Sequence, residues 1–274
     1  MSKALFNKIS IIESLGRKDR KTGSRLYEDI SMLEVFHGRG VDIELKTIQG
    51  KVDLFTYIDG LVCDAKTKRK FPVLQIDAHG SRLGIVLGSN ETVSWRELCD
   101  KLRVLNTALR GNLIIVMASC YGCFITGGVD LFDRAPFWGL MSPLNEVYSD
   151  DIEKDLRKFY ESIFKGDSDN GSIPKQPSFN LITVENVFLE FWKIYLDNQA
   201  PNDLLTQHAK LLYTQKKKNN PNLKIEDLRE SLLSTGKSRL LYQLNFFLFT
   251  DIEPYNLERV RFKSSDEIIE HFNE

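Results

Sequence analysis

The 274-residue sequence lacks any apolar run approaching the roughly 20 residues that span a bilayer. Its opening, Met1-Ser2-Lys3-Ala4-Leu5-Phe6, also lacks the apolar core of a secretion signal. The expectation is a cytoplasmic protein with no membrane partner. Nor is there an excess of charge of one sign, since 37 Lys and Arg face 38 Asp and Glu for a formal net charge of -1. That balance gives no electrostatic reason to expect nucleic acid as an obligate partner. The basic runs are local, Arg17-Lys18-Asp19-Arg20-Lys21 and Lys216-Lys217-Lys218, and read as solvated loop or helix faces. Cysteine is scarce, at Cys63, Cys99, Cys120 and Cys123. In a reducing compartment these are expected as thiols and not as a disulfide framework.

What the chain does contain is an alternation of strand and helix patterns. Ile9, Ile11 and Ile12 mark a short buried strand over 8–13, and Leu26, Ile30, Leu33 and Phe36 then recur at helical spacing. Residues 41–48 alternate as a strand does, and Leu54, Tyr57, Ile58 and Leu61 predict a helix over 52–63. A polar connection, Lys66 to Lys70, leads into a strand ending at His79. Residues 84–87 and 91–93, joined through Gly88-Ser89-Asn90, read as a hairpin. Ser94-Trp95-Arg96-Glu97 is a capping box: the Ser94 hydroxyl accepts from the Glu97 N–H while Glu97 reaches back. The helix it opens carries Leu98, Leu102, Leu105 and Leu109 on one face and stops at Gly111. The unbroken apolar run Leu113 to Ala118 suits a central parallel strand covered on both faces. A further strand over 137–141 and a helix over 150–164 follow.

Repeated strand–helix–strand units imply an α/β fold, a mostly parallel sheet with helices on both faces, here spanning residues 1–165. Gly, Asp, Ser, Asn and Pro crowd residues 166–178, the linker candidate. Beyond it the helical patterns at 184–196, 203–215, 225–233 and 237–249 make 179–274 a mainly helical C-terminal subdomain.

In an open parallel sheet, ligands collect outside the carboxyl ends of the strands. Two central strands end in His79-Gly80 and in Cys120-Tyr121-Gly122. A thiol and an imidazole at one sheet edge can form a thiolate near neutral pH, and the thiolate is the nucleophile. The glycines permit sharp turns and close approach of substrate, and the N–H groups of Gly80 and Cys120 are candidate oxyanion donors. Cys120 and Cys123 also form a C-x-x-C. A dithiol redox motif normally opens a helix early in a small domain, whereas this one follows the fourth main strand, so Cys123 is read as core. Zinc held by Cys120, Cys123 and His79 would want a fourth ligand that the sequence does not offer. No metal and no organic cofactor is expected.

The order of these parts resembles the caspases, metacaspases, separase, clostripain-like and CHAT-domain peptidases. The motifs that carry the likeness are Leu74-Gln75-Ile76-Asp77-Ala78-His79-Gly80 and Ile114-Ile115-Val116-Met117-Ala118-Ser119-Cys120-Tyr121-Gly122, with the hairpin and capped helix between them. The resemblance covers residues 8–164 and runs toward the prokaryotic CHAT-like members. It implies a caspase-like cysteine endopeptidase in which Cys120 is the nucleophile, His79 the general base and acid, and Gly80 and Cys120 the oxyanion donors. It implies a protein substrate, a neighbouring-gene product or regulatory partner included, and by analogy a place in antiviral defence or regulated death. Ala118-Ser119 stands where caspases have Gln-Ala and metacaspases Asp-Ser, so neither family's preference carries over. The alternative is a catalytically silent scaffold that binds a protein through its helical C-terminal region. An intact His–Cys pair counts against it.

Candidate substrate-binding groups are Asp77, Asp130 and Asp133. Asp77 lies two residues before His79 and so on the same strand face. It is either an acid near the specificity pocket, a group orienting His79, or a carboxylate satisfied by its neighbours. Asp130 and Asp133 follow the nucleophile, in a segment that helps build the pocket in the related peptidases. Acids there favour Arg or Lys before the scissile bond, while Arg82 and Arg134 would favour Asp. The expectation is basic specificity.

Overall fold

Every residue of the first strand, β1 (Lys8–Ser14), is buried, which requires neighbours on both edges and cover on both faces. The computed structural model describes residues 6–165 apart from 39 and 132, residues 176–188, and beyond these 190, 213, 224–226 and 246–249. It divides into two compact units, Met1–Val184 and Glu185–Glu274.

The first unit runs β1, α1 (Thr22–His37), β2 (Asp42–Thr47), α2 (Lys51–Lys68), β3 (Pro72–Gly80), β4 (Gly84–Val86), β5 (Thr92–Ser94), α3 (Trp95–Ala108) and β6 (Ile114–Ala118). A 3-10 segment (Gly122–Gly128), β7 (Gly139–Ser142), α4 (Ser149–Lys165) and β8 (Asn180–Thr183) complete it. The sheet order is β2-β1-β3-β6-β7-β8. All neighbours are parallel except β8, which pairs antiparallel with β7. The fold is thus α/β with a mostly parallel mixed sheet, as the alternating pattern predicts.

Period-two alternation divides the core between the two faces of the sheet. Ile9, Ile11, Val73, Ile114, Val116 and Met141 share one cluster with Leu26 and Ile30 of α1 and Leu156, Phe159 and Tyr160 of α4. The intervening Leu74, Ile76, Ile115, Met117 and Leu140 are equally buried and point to the opposite face. The apolar sides of α2 and α3, Leu54, Ile58, Leu98, Leu102 and Leu105, are buried as well.

The hairpin and the capping box form as expected. β4 pairs with both β3 and β5, and Ser94 and Glu97 satisfy each other's backbone N–H groups at the start of α3. Two boundaries differ from the pattern. The second helix continues through Lys68 because Lys68 pairs with Asp64 one turn earlier and Thr67 donates to the Cys63 carbonyl. Lysines also suit a helix C-terminus, where the backbone carbonyls concentrate negative charge. Residues 180–183, placed with the helical region by sequence, instead extend the sheet, and the first unit ends at Val184. Here a short strand gains its ladder from β7, which local pattern does not encode.

The linker candidate lies outside the described residues over 166–175, as do most of the helices expected beyond 184 and the basic run 216–218. In the second unit the rings of Phe188 and Phe247 lie 5.3 Å apart. Among the described residues no helix is long and apolar enough to cross a membrane.

Buried Asn106 joins α3 to the sheet, its amide donating to the Ala135 carbonyl at 2.7 Å and accepting from the Leu113 N–H at 2.9 Å. Asn106→Ala leaves both groups buried and unpaired, so a loss of about 2–4 kcal/mol is expected in urea unfolding, with the m-value unchanged.

Candidate active site

The parallel register lines up the ends of three strands. Glu13 lies opposite Asp77, and Asp77 opposite Ala118. Two residues further on, β3 delivers His79 and the end of β6 delivers Cys120, on the same face and at the same edge. Both side chains line one cavity of about 300 Å³, together with Leu15, Asp19, Asp77 and Ile152. The pairing expected from sequence is therefore brought together.

Each backbone is held by its own device. His79 and Gly80 pair with Val86 and Ile85 of the hairpin. Beyond them, the Trp95 indole N–H donates to the Ser81 carbonyl at 3.2 Å. A Cβ on Gly80 would lie 2.0 Å from the Cys120 carbonyl oxygen, so only glycine lets the two loops come this close. After Cys120 the chain turns through Tyr121 in the left-handed region, φ 57°. That conformation is uncommon for a bulky residue and is held from outside. The Tyr121 N–H donates to the Asn145 carbonyl at 3.1 Å, the Cys123 N–H to the Pro143 carbonyl at 3.0 Å, and the Tyr121 hydroxyl to Glu146 at 3.0 Å. Among the described residues the Cys120 N–H has no acceptor, as an oxyanion donor requires. Its thiol is half-buried, with Sγ 3.8 Å from the Val147 carbonyl.

Sequence reasoning missed Asp19. Its Oδ2 lies 2.8 Å from His79 Nε2 and accepts from the Gly16 N–H at 2.6 Å. The His79 hydrogen bond, helped by the Gly16 N–H, holds the Asp19 carboxyl below its ordinary value. Asp19 sits in a short basic run, and composition marks that run only as solvated. Arg20 also reaches the cavity, but its guanidinium is occupied by Asp150 and Glu153 of α4.

Of the three candidate substrate-binding acids, only Asp77 lines the cavity. Asp130 pairs with Arg96 and Asp133 with Arg103, both on α3, so the segment after Cys120 carries them away from the His79 side. Arg82 and Arg134 do not line it either. Arg82 lies over the rings of Tyr121 and Phe124, at 5.5 and 5.8 Å from their centroids.

Asp77 is 1% exposed and accepts from the Thr22 hydroxyl at 2.9 Å and the Gln75 amide at 3.0 Å. Gln75 in turn accepts from the Tyr160 hydroxyl at 2.9 Å. Burial pushes the Asp77 carboxyl up to about 7, and neighbouring Glu13 adds to the rise, while the two hydrogen bonds oppose it. Asp77 does not bond to His79; the carboxylate bonded to the ring is that of Asp19.

Cys123 is buried and its thiol donates to the Ser142 carbonyl at 3.1 Å, with burial raising it to about 11. It lies in the core, as read from sequence, and at that value is a poor source of thiolate for exchange with Cys120. Among the described residues no group of three or more His, Cys, Asp or Glu side chains is placed to hold a metal ion. Compared with known families and with curated proteins, the sequence matches no family model and no curated protein.

The raised Asp77 has a stability consequence. The folded protein holds this proton more tightly than the unfolded chain, whose value is near 3.8, so the stabilisation is complete below about pH 4 and is lost as pH rises through about 7. The thermal midpoint of the wild type, measured relative to Asp77→Asn, should fall by roughly 5 °C between pH 4.5 and pH 8. Parallel curves for the two proteins would contradict a raised Asp77.

Proposed function

We propose that this chain is a cytoplasmic cysteine endopeptidase with a caspase-like fold, which cleaves protein substrates after a basic residue. The observation that carries the reading is the single cavity lined by His79 and Cys120, at the carboxyl ends of neighbouring parallel strands. The left-handed turn after Cys120, its unpaired N–H and the close approach of Gly80 support the same chemistry.

With Nε2 engaged by Asp19, Nδ1 is the ring nitrogen left to take the thiol proton. The Cys120 sulfur then forms a bond to the scissile carbonyl carbon, and the oxyanion is stabilised by the N–H groups of Gly80 and Cys120. As the C–N bond breaks, His79 returns its proton to the leaving amine. Water, deprotonated by the same imidazole, attacks the thioester, releasing the acid and restoring the thiol. No metal or organic cofactor enters these steps.

The charge of the cavity supports basic specificity. Its one arginine is neutralised by two carboxylates, and Asp77 forms part of the wall with no cation beside it. A lysine or arginine side chain entering there would meet Asp77 and draw off its proton. The small Ala118, two residues before the nucleophile, leaves the space open.

A peptidyl acyloxymethyl ketone with arginine next to the reactive carbon should label Cys120. Labelling should vanish in Cys120→Ala and His79→Ala and stay near normal in Cys123→Ser. A wild type labelled no more than Cys120→Ala, over pH 5–9 and with both basic and acidic peptides, would sink the peptidase reading in favour of a silent scaffold.

Asp77→Asn should lower kcat/KM for arginine peptides by about 10- to 100-fold while changing norleucine peptides little. A positional-scanning library reads both in one experiment, and an unchanged preference would remove Asp77 from the specificity pocket. If the specificity is basic, the exposed Arg17 and Lys18 are also sites of self-cleavage, which N-terminal sequencing of wild type against Cys120→Ala will detect.

A further inference from the structure

His79 is held in an unusual way for a residue at the end of a central strand. Its side chain is 62% exposed, so packing does not fix the ring. Among the described residues the ring has one hydrogen-bond partner, the Asp19 carboxylate. Building on the peptidase reading, we propose that Asp19 is a positioning residue that fixes the His79 ring and the tautomer able to take the Cys120 proton.

The argument starts with hydrogen-bond inventory. An ionised carboxylate only accepts, so the nitrogen 2.8 Å from Asp19 Oδ2 must carry the hydrogen. In a neutral imidazole the other nitrogen, Nδ1, then presents its lone pair. The reversed tautomer would set a lone pair against a carboxylate and leave no base for the thiol. When Nδ1 takes the thiol proton the ring becomes positive, and Asp19 stabilises that charge without receiving the proton. The proton leaves later on the amine, so Asp19 touches neither substrate nor reacting atoms.

A positioning group must itself be positioned, and the turn after β1 does this from several sides. The Gly16 N–H donates to the same carboxylate oxygen at 2.6 Å, and the Asp19 N–H donates to the Gly16 carbonyl at 3.1 Å. Lys21 Nζ donates to the carbonyls of Leu15 and Gly16 at 2.8 and 2.9 Å, closing the turn from beyond Asp19. Between them Arg20 ties the turn to Asp150 and Glu153 at the start of α4. The lowered Asp19 carboxyl keeps it ionised at neutral pH. The other charged or titratable groups around the cavity are Cys120 at the end of β6, Asp77 on β3, Arg20 on the turn and Tyr148 before α4.

The test uses the full chain in five forms: wild type, Asp19→Asn, Asp19→Glu, Lys21→Ala and Cys120→Ala. One readout is the rate at which iodoacetamide alkylates Cys120 at neutral pH, followed by mass spectrometry of that peptide. The other is the long-range 1H–15N spectrum of the His79 ring, assigned with His79→Gln and recorded also in Cys120→Ala, where no thiol chemistry intervenes.

Asp19→Asn should lower the alkylation rate by on the order of 10²-fold, because an amide oxygen between the Gly16 N–H and Nε2 carries no charge to stabilise the imidazolium. The spectrum of Cys120→Ala with Asp19 intact should show the Nε2–H form, and Asp19→Glu should recover part of the rate. Lys21→Ala, which loosens the turn and removes a cation near Asp19 while leaving the carboxylate in place, should cost about 10-fold.

An alkylation rate for Asp19→Asn within about threefold of wild type overturns the proposal, as does a ring that carries its hydrogen on Nδ1 in Cys120→Ala with Asp19 intact. If wild-type Cys120 reacts no faster than exposed Cys63 while the ring is held in the Nε2–H form, the peptidase reading fails and the hold of Asp19 on the ring stands.

Discussion

Everything at the candidate site depends on the in-register parallel pairing of β1, β3 and β6. With Glu13 opposite Asp77 and Asp77 opposite Ala118, the ladder hydrogen bonds fix where each strand leaves the sheet. Leu15, His79 and Cys120 follow at the same level, two residues beyond that row. A slip of one residue in either pairing would turn His79 or Cys120 to the opposite face. The apolar rows below guard against the slip, because Ile9, Ile11, Val73, Ile114 and Val116 would have to leave the α1 and α4 side together. Core packing thus sets where His79 and Cys120 stand at the sheet edge.

The same register puts a costly pair at the sheet's edge. Glu13 and Asp77 are 2% and 1% exposed on adjacent strands, and like charges directly opposite repel. The protein relieves this in two ways. Glu13 receives the Ser24 N–H and hydroxyl, each at 2.9 Å, in the first turn of α1, where a negative charge is favoured. Asp77 holds a proton up to about pH 7. Helix α1 is therefore docked on the sheet by the groups that also form the cavity wall. Once that proton leaves above about pH 7, the charge opposite Glu13 lowers stability.

How much of this was legible in the sequence follows from what periodicity can report. His79 and Cys120 were visible because each ends an apolar run whose alternation fixes its face, and a glycine follows each closely. The capping box and hairpin were equally local. Asp19 was hidden because a turn imposes no period on its side chains, and a short basic run conceals a single acid. Asp130 and Asp133 were read as pocket residues on the assumption that the segment after Cys120 stays beside it. In fact that segment packs toward α3, where Arg96 and Arg103 take both carboxylates. The membership of β8 in the sheet depends on a tertiary partner, β7, and the chain from 180 to 183 carries no sign of it.

The two halves of the site are fixed to different degrees, and this decides where control can act. Cys120 is set by a central strand, by the close approach of Gly80 and by the segment 143–147 through the Asn145 and Pro143 carbonyls. Moving it would disturb the sheet itself. His79 has a firm backbone but an exposed ring, and the ring's orientation comes from a short turn that Arg20 ties to α4 by ion pairs. Surface ion pairs of this kind contribute little individually and weaken with salt. Loss of those ion pairs would loosen the turn that holds the imidazole while leaving Cys120 and the core in place. The fold separates a thiol fixed by the sheet from an exposed imidazole, and the turn that holds the imidazole lines the same cavity.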